Sequence, residues 1–243
     1  MDDDVLEVLV QTIMFLVIVA GFIVVIRGIR RVNKRDVRNE QDQAGLVQLA
    51  QERGWNYTAE IPGGAERYVG ALPFRAKGHY LWDHVTGEFQ GHTVSCFEYR
   101  PRDFDAEDAG TTDHRYFVAF TVTLPAPTPG MIIDRPNVLE RADNRLNNVF
   151  GLGDNEVKLG VPEFDEDFRI ITDDEPFARS VLTDDLVRFL LSDPRVKDAP
   201  LRFHGNELIT WFEGRLRPDG IDPKLNYLCD ALERVPAQTW HSA

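Results

Sequence analysis

Cysteine is scarce in this sequence of 243 residues, which contains only Cys96 and Cys229. This count excludes a disulfide framework and a zinc site built from paired CxxC motifs. The two thiols are more than 130 positions apart in the sequence. We therefore predict that both are buried and reduced, as is usual for a protein domain that faces the cytoplasm.

Basic residues are outnumbered, with 27 Lys and Arg against 40 Asp and Glu, and the formal net charge is −13. Residues 1–38 carry six basic and five acidic side chains, so the excess negative charge lies beyond residue 38. Proteins that bind nucleic acid draw much of their affinity from basic residues that neutralise phosphates. The charge therefore argues against nucleic acid as a partner and is typical of a well-solvated domain.

Sequence motifs for catalysis and cofactor binding are also missing. No GxSxG nucleophile elbow and no GxxxxGK[ST] phosphate-binding loop occurs. Gly151 and Gly153 lack the third glycine of a dinucleotide-binding loop. His92 and Cys96 would share one face of a strand about 13 Å apart, which is too far for direct proton transfer. We predict that the chain is not an enzyme and binds no cofactor, although carboxylate pairs of the glycosidase type stay open in so acidic a chain.

No spacing of potential ligands matches a known metal site. The acidic stretch Asp103–Asp108 resembles the start of a calcium-binding loop, but that loop requires Gly at its sixth position and Glu at its twelfth. Those positions hold Asp108 and His114. His79, His84 and His92 lie near one another in the sequence, yet their spacing is not that of a zinc site. We predict no metal site and interpret these residues as solvated or turn residues.

The sequence does contain one long apolar run without charge, from Val8 to Ile26. Fourteen of its 19 residues are Val, Leu, Ile or Phe. A helix of this length spans roughly 28 Å, close to the ~30 Å hydrocarbon core of a bilayer. We predict a transmembrane helix whose anchoring side chains include Val8, Leu9, Phe15, Leu16, Phe22 and Ile26.

The flanks of this run differ in charge and predict its orientation. Four acidic residues and no basic ones precede the run, whereas five basic residues follow it closely: Arg27, Arg30, Arg31, Lys34 and Arg35. Lys and Arg beside a membrane span stay in the cytoplasm and also contact anionic headgroups. We predict an N-terminus outside the plasma membrane and a cytoplasmic domain. A cleaved signal peptide, disfavoured by the acidic start, and the opposite orientation are the alternatives.

The domain organisation follows from these patterns and from the length of the remainder, which suits one domain. We predict an acidic leader (1–7), a transmembrane helix (8–26), a basic linker (27–43), a soluble domain (44–236) and a tail (237–243).

Periodicity predicts an antiparallel sheet from several strands. One hairpin joins residues 81–89 and 92–99 around Gly91, and a strand over 116–124 ends at three prolines, with a short extended piece at 131–133. Further short strands are predicted over 157–161 and 168–171. A second hairpin, 201–203 with 207–213, turns at His204-Gly205-Asn206.

Helical spacing of apolar residues and capping signals predict the helices. The predicted ranges are 41–53, 137–150, 176–182, 184–191 and a final helix that begins at Asp222-Pro223. Hairpins and helices gathered separately predict an α+β fold, with antiparallel β-hairpins packed against amphipathic helices.

Five segments between residues 45 and 235 share a pattern of apolar and turn residues: Leu49–Tyr57, the hairpin from Gly91 to Tyr99, Val122–Pro125, Glu163–Ile170 and Val181–Thr183. Together with the apolar run and basic linker, they resemble a family of actinobacterial single-pass membrane proteins whose soluble domain has no assigned activity. The resemblance implies one membrane anchor and one soluble domain. It implies no catalytic residue and no cofactor.

These observations predict a membrane-anchored cytoplasmic domain that acts as an interaction or scaffold module. Its predicted partners are the lipid bilayer and other membrane proteins. The alternatives are a module that binds lipid or another small molecule, and an enzyme whose site assembles from distant residues. Convergence of Asp83, His84 or Glu98 in one pocket would favour the enzyme.

Overall fold

The computed structural model describes residues 40–69, 74, 80–99, 116–135 and 155–241. The chain forms two compact units, Met1–Ala44 and Gly45–Ala243. The predicted transmembrane helix and the predicted helix over 137–150 lie outside the described residues. Within the described ranges, no helix is both long enough and apolar enough to cross a bilayer.

The predicted first helix is confirmed as α1, residues 40–53. Leu46 and Ala50, one turn apart, are buried at 1% and 2% exposure and give the helix its apolar face. Gly54 ends the helix with φ of +67°, a left-handed conformation that glycine adopts without a steric penalty.

Seven antiparallel strands form one sheet in the described part of the chain. The strands are β1 (Asn56–Ile61), β2 (Leu81–Phe89), β3 (His92–Tyr99), β4 (Phe117–Asp134), β5 (Glu156–Val157), β6 (Arg169–Thr172) and β7 (Leu201–Glu213). β4 lies at the centre of the sheet and pairs with β7 along one edge. Along its other edge β4 pairs with β3, followed by β2 and β1, and with β6, followed by β5.

The hairpin predicted around Gly91 is confirmed as β2 and β3. Its two-residue turn, Gln90-Gly91, has φ of 51° and 81°, which suits the right-handed twist of paired strands. The register shifts between Trp82 and Val85, where Asp83 has φ of 49° and marks a bulge.

The prediction that three prolines end the strand after Leu124 is wrong, because β4 continues through them to Asp134. Its register with β7 shifts between Thr123 and Thr128 and again between Thr128 and Met131. Proline is tolerated in a strand where ladder hydrogen bonds are already interrupted. These irregular positions explain why the prolines interrupt the pairing without ending the strand.

The second predicted hairpin is also wrong, since residues 201–213 form the single strand β7. Both halves of β7 pair with β4, from Leu201 opposite Ile133 to Glu213 opposite Phe117. Gly205, with φ of 56°, lies at the irregularity opposite Thr128. The glycine that suggested a hairpin turn therefore marks a bulge, which is its other common role in strands.

Two of the predicted helices are confirmed as α3 (Glu175–Val181) and α4 (Asp184–Ser192). The Asp174 side chain accepts a hydrogen bond of 2.8 Å from the Phe177 backbone N–H, as predicted for the start of α3. Sequence reasoning missed α2 (Pro162–Asp167), whose residues were assigned to no element. The predicted strand over 157–161 overlaps β5 only at Val157. The final helix, α5 (Pro218–Leu232), begins earlier than predicted.

Three short 3-10 helices complete the described secondary structure: Gly64–Tyr68, Pro194–Asp198 and Ala237–His241. The first follows β1 directly and lies over the sheet, where it packs with the buried Phe74. We refer to Gly64–Tyr68 as the covering segment.

The two faces of the sheet carry different cores. Alternate strand residues such as Val118, Phe120 and Phe203 pack with buried residues of α1–α5, and we call this side the helix face. The intervening strand residues, among them Phe97 and Trp211, pack with the covering segment and with Phe74 on the opposite side, the segment face. The predicted α+β architecture is therefore confirmed for the described residues.

Candidate functional site

The residues predicted to anchor the chain and to set its topology, Val8–Arg35, lie outside the described part of the chain. The candidate site within the described part is a polar cluster on the segment face. Its members come from the covering segment and from β2, β3, β4 and β7: Arg67, Tyr68, His84, Ser95, Thr121, Arg202, His204 and Glu207.

Arg202 lies at the centre of the cluster and is only 2% exposed. Its Nη1 donates a 2.7 Å hydrogen bond to the backbone oxygen of Tyr68, and its Nη2 lies 3.2 Å from Nδ1 of His204. Its buried Nε has no hydrogen-bond partner among the described residues. No described carboxylate forms an ion pair with it either.

Burial lowers the pKa of Arg202 to about 10, so the guanidinium stays protonated at neutral pH. A buried charge is costly unless polar groups replace the water that it loses. A backbone carbonyl and an imidazole take that role here. The sequence placed this arginine between Leu201 and Phe203, and strand alternation directs it to the face opposite those two residues.

His204 connects Arg202 to the covering segment. Its Nε2 lies 2.8 Å from the backbone oxygen of Arg67. A carbonyl oxygen only accepts hydrogen bonds, so Nε2 carries the hydrogen and Nδ1 accepts from Arg202. Burial, followed by the positive charge of Arg202, lowers the pKa of His204 below its ordinary value of 6.5.

Glu207 provides the negative charge of the cluster. Its Oε1 accepts a 2.5 Å charged hydrogen bond from Nη2 of Arg67 and a 3.1 Å bond from the hydroxyl of Thr121. The Arg67 guanidinium also lies 4.9 Å from the centroid of the Tyr68 ring. The ion pair thus attaches the Arg67 side chain of the covering segment to Glu207 of β7.

A serine–histidine pair lies on the same face. Nε2 of His84 is 2.8 Å from the hydroxyl of Ser95, and burial lowers the pKa of His84. The neighbouring Asp83 does not orient this histidine, because its Oδ1 accepts a 2.7 Å hydrogen bond from the Tyr57 hydroxyl. A nucleophile, a base and an orienting acid therefore do not line up here in the manner of a catalytic triad.

Glu98, the third residue considered for an enzyme site, lies on the helix face, opposite to His84. It is 1% exposed and accepts hydrogen bonds from the Leu216 backbone N–H at 2.9 Å and from Nε of Arg215 at 3.1 Å. Asp83, His84 and Glu98 therefore do not converge. The nearby Cys96 is fully buried, and burial raises the pKa of its thiol, which opposes a nucleophilic role.

One acidic residue of α2, Asp165, serves local structure. Asp165 accepts hydrogen bonds from the backbone N–H groups of Leu159 at 2.9 Å and Gly160 at 2.8 Å. Within residues 40–69, 74, 80–99, 116–135 and 155–241, no group of three His, Cys, Asp or Glu side chains is placed to hold a metal ion. His79 and Asp103–Asp108 lie outside the described residues.

The sequence matches no protein-family model and no curated protein. Among solved structures, its fold is similar to that of the mycobacterial trehalose monomycolate transport factor A, TtfA, with a TM-score of 0.53. The match covers 80% of this chain and 96% of that chain, at 14% sequence identity. The likeness shows a shared fold.

Proposed function

We propose that this chain is a membrane-anchored, non-catalytic interaction domain that serves lipid transport from the cytoplasmic face of the plasma membrane. The observation that carries the proposal is the fold shared with a trehalose monomycolate transport factor across 80% of this chain and 96% of that one. Fold alone does not determine function. The proposal therefore also draws on the sequence at the N-terminus and on the geometry of the polar groups.

The apolar run from Val8 to Ile26 and the basic residues after it support the anchored state and its orientation. They also agree with the family of single-pass membrane proteins that the chain resembles. An anchor raises the effective concentration of the domain near other membrane proteins without adding contacts. An acidic domain on a basic linker is repelled by anionic lipid and stays free to contact proteins.

An interaction role is favoured over catalysis because the titratable groups considered for a site are separated. Glu98 lies on the helix face, His84 lies on the segment face, and Asp83 is hydrogen-bonded to Tyr57. Three hydrogen bonds of the polar cluster join the covering segment to the sheet. They fix the position of this segment, so that the domain presents one defined surface to a partner.

Proximity labelling tests the proposal directly. A biotin ligase is fused to the C-terminus of the full chain, of a variant lacking residues 1–38, and of a variant whose residues 8–26 are replaced by an unrelated single span. We expect the full chain and the span replacement to label integral membrane proteins of lipid transport, and the truncated chain to lose them. Identical neighbours for all three variants would show that confinement is not the mechanism. Neighbours unrelated to lipid transport would remove that part of the proposal.

The orientation has a separate test. Protease added to intact spheroplasts should leave the C-terminal domain uncut and should digest it only after lysis. Digestion of the domain before lysis would place it outside the membrane and overturn the cytoplasmic assignment.

Binding of lipid by this chain is a second candidate function, favoured because the structural neighbour is named for transport of trehalose monomycolate. Native mass spectrometry of the full chain, purified in detergent, distinguishes the two. A stoichiometric lipid that survives dilution of the detergent would favour a lipid-binding module. A lipid-free chain that keeps its labelled neighbours would favour the interaction domain.

A further inference from the structure

In addition to the buried Ala65 and Tyr68 side chains, three contacts from side chains of β7 hold the C-terminal end of the covering segment on the sheet. His204 donates to the Arg67 carbonyl at 2.8 Å, Arg202 donates to the Tyr68 carbonyl at 2.7 Å, and Glu207 pairs with the Arg67 guanidinium at 2.5 Å. Two of the three depend on one another, because Arg202 also donates to His204.

The bond between Arg202 and His204 requires a neutral imidazole. Nε2 carries the ring hydrogen that the Arg67 carbonyl accepts, and the lone pair of Nδ1 accepts from Nη2 of Arg202 at 3.2 Å. When Nδ1 takes up a proton from water, two donors face each other. A second positive charge then lies beside a guanidinium that has no carboxylate partner among the described residues.

We propose that His204 is a pH-sensitive latch: its neutral ring holds the covering segment on the sheet, and protonation at Nδ1 releases that segment. This inference concerns regulation and does not depend on the proposed function. Release of the segment removes Tyr68 from the Phe97 ring, against which it packs with 5.0 Å between ring centroids. The part of the Phe97 ring that Tyr68 covers at neutral pH thus becomes available when the pH falls.

The groups around His204 shift its pKa in opposite directions. Arg202 on the same strand and Arg67 on the covering segment disfavour the imidazolium, as does burial, whereas Glu207 and the Arg67 carbonyl favour it. The net result is a lowered pKa while the segment is attached. Attachment is therefore strongest above the ordinary value of 6.5 and weakens as the pH falls from 6.5 toward the lowered pKa. Across that window the opening constant rises about tenfold per pH unit.

Hydrogen–deuterium exchange of the full chain in detergent tests the latch between about pH 8 and about pH 5.5, safely above the sequence pI of about 4.9. Peptides covering residues 62–69 are compared among the wild type, His204→Gln and His84→Gln at each pH, so that the intrinsic exchange rate cancels. Gln keeps an N–H near the position of Nε2 but does not titrate. His84→Gln is the matched control, since His84 is another half-buried histidine on this face, bonded to Ser95.

In the wild type and in His84→Gln, we expect these peptides to lose protection from exchange as the pH falls. In His204→Gln, we expect their protection to stay the same across this pH range. Equal acceleration in all three proteins would overturn the proposal, and so would protection that does not change with pH in the wild type. Because His204→Gln could disturb folding, the pKa of His204 in the wild type is also read from its ring proton resonances, assigned by their loss in the variant. A value at or above 6.5 would overturn the latch as well.

Discussion

The two faces of the sheet differ in how the most deeply buried arginine of each is neutralised. On the helix face, buried or half-buried charges meet an opposite charge at the rim. The Arg195 guanidinium lies 2.6 Å from Asp193 and 2.7 Å from Asp230, and Glu98 is paired with Arg215. On the segment face, Arg202 is buried more deeply than any of these arginines and is neutralised by no described carboxylate.

This difference matters because desolvation and pairing act in opposite directions. A half-exposed pair such as Arg195 and Asp193 keeps part of its hydration, and its pairing lowers the pKa of Asp193. The desolvated Arg202 has its pKa lowered to about 10 instead. The helix face is thus stabilised mainly by apolar packing with paired charges at its edge, whereas attachment of the covering segment depends on a small polar network.

The largest expected effect compares one buried phenylalanine on each face. Phe203→Ala on the helix face should lower the free energy of unfolding by about 3–5 kcal/mol, because Phe203 is 1% exposed and contacts the Phe177 ring. Phe97→Ala on the segment face should lower it by at least ~1 kcal/mol less, since Tyr68 and Phe74 can collapse into the space. Urea unfolding followed by circular dichroism measures both.

Val161→Ala is the control for this pair, because Val161 is 37% exposed and should change the free energy of unfolding by less than about 0.5 kcal/mol. Equal losses for the two phenylalanine variants would show that the covering segment is as rigidly packed as the helices, and the contrast between the faces would fail.

Replacement of the buried charge should have an intermediate effect. Arg202→Met keeps the length of the side chain but leaves the Tyr68 carbonyl and Nδ1 of His204 without their donor, which costs about 1–3 kcal/mol. Removal of a desolvated charge offsets part of this loss. We expect a net loss of about 1–2 kcal/mol in urea unfolding, together with faster exchange in residues 62–69.

Arg53→Met is the matched control, because Arg53 is exposed and pairs with Asp222 at 2.6 Å, so its loss should be below about 1 kcal/mol. A more stable Arg202→Met protein would mean that the buried guanidinium is a net cost to the fold.

The smallest effect concerns the paired charges at the rim of the helix face. Asp193→Asn should cost about 1 kcal/mol at neutral pH, because it weakens the pair with Arg195. The Arg195 hydrogen bond holds the pKa of Asp193 below its ordinary 3.8, so this contribution is complete above pH 3.8 and is lost as the pH falls through the lower native value. Melting temperatures of both proteins at neutral and at acid pH measure the difference.

Asp185→Asn serves as the comparison for Asp193, since the Asp185 carboxylate is 65% exposed and 3.9 Å from Arg188. Its melting temperature should match the wild type at both pH values. A gap between wild type and Asp193→Asn that persists unchanged in acid would show that the charge of Asp193 is not what stabilises this edge.

Local pattern was sufficient for α1, for the β2–β3 hairpin and for the N-terminus of α3. Each is set by residues close in sequence: the spacing of Leu46 and Ala50, the Gln90-Gly91 turn and the cap at Asp174. In such elements, the side chains that determine the backbone conformation belong to residues only a few positions away in the sequence. The α+β class was predictable for the same reason.

The candidate site was not predictable from neighbouring residues. Arg67 and His204 are 137 positions apart, and nothing near either one indicates that a backbone carbonyl of the first would meet the ring of the second. The one local signal was an arginine between Leu201 and Phe203 in a predicted strand, which strand alternation sends to the opposite face. What covers that face depends on the covering segment, whose residues were assigned to no predicted helix or strand.

The amino-acid order alone specified a charge-free apolar run followed by basic residues, an acidic domain, and the periodicities of its hairpin and helices, because these depend on composition and on contacts along the chain. Tertiary structure settled whether β4 and β7 continue through their prolines and glycine, since these two strands pair with each other both before and after the irregular positions. It also brought the β7 side chains beneath the covering segment. Burial of that contact, which no local pattern contains, is what lowers the pKa of Arg202 and of His204.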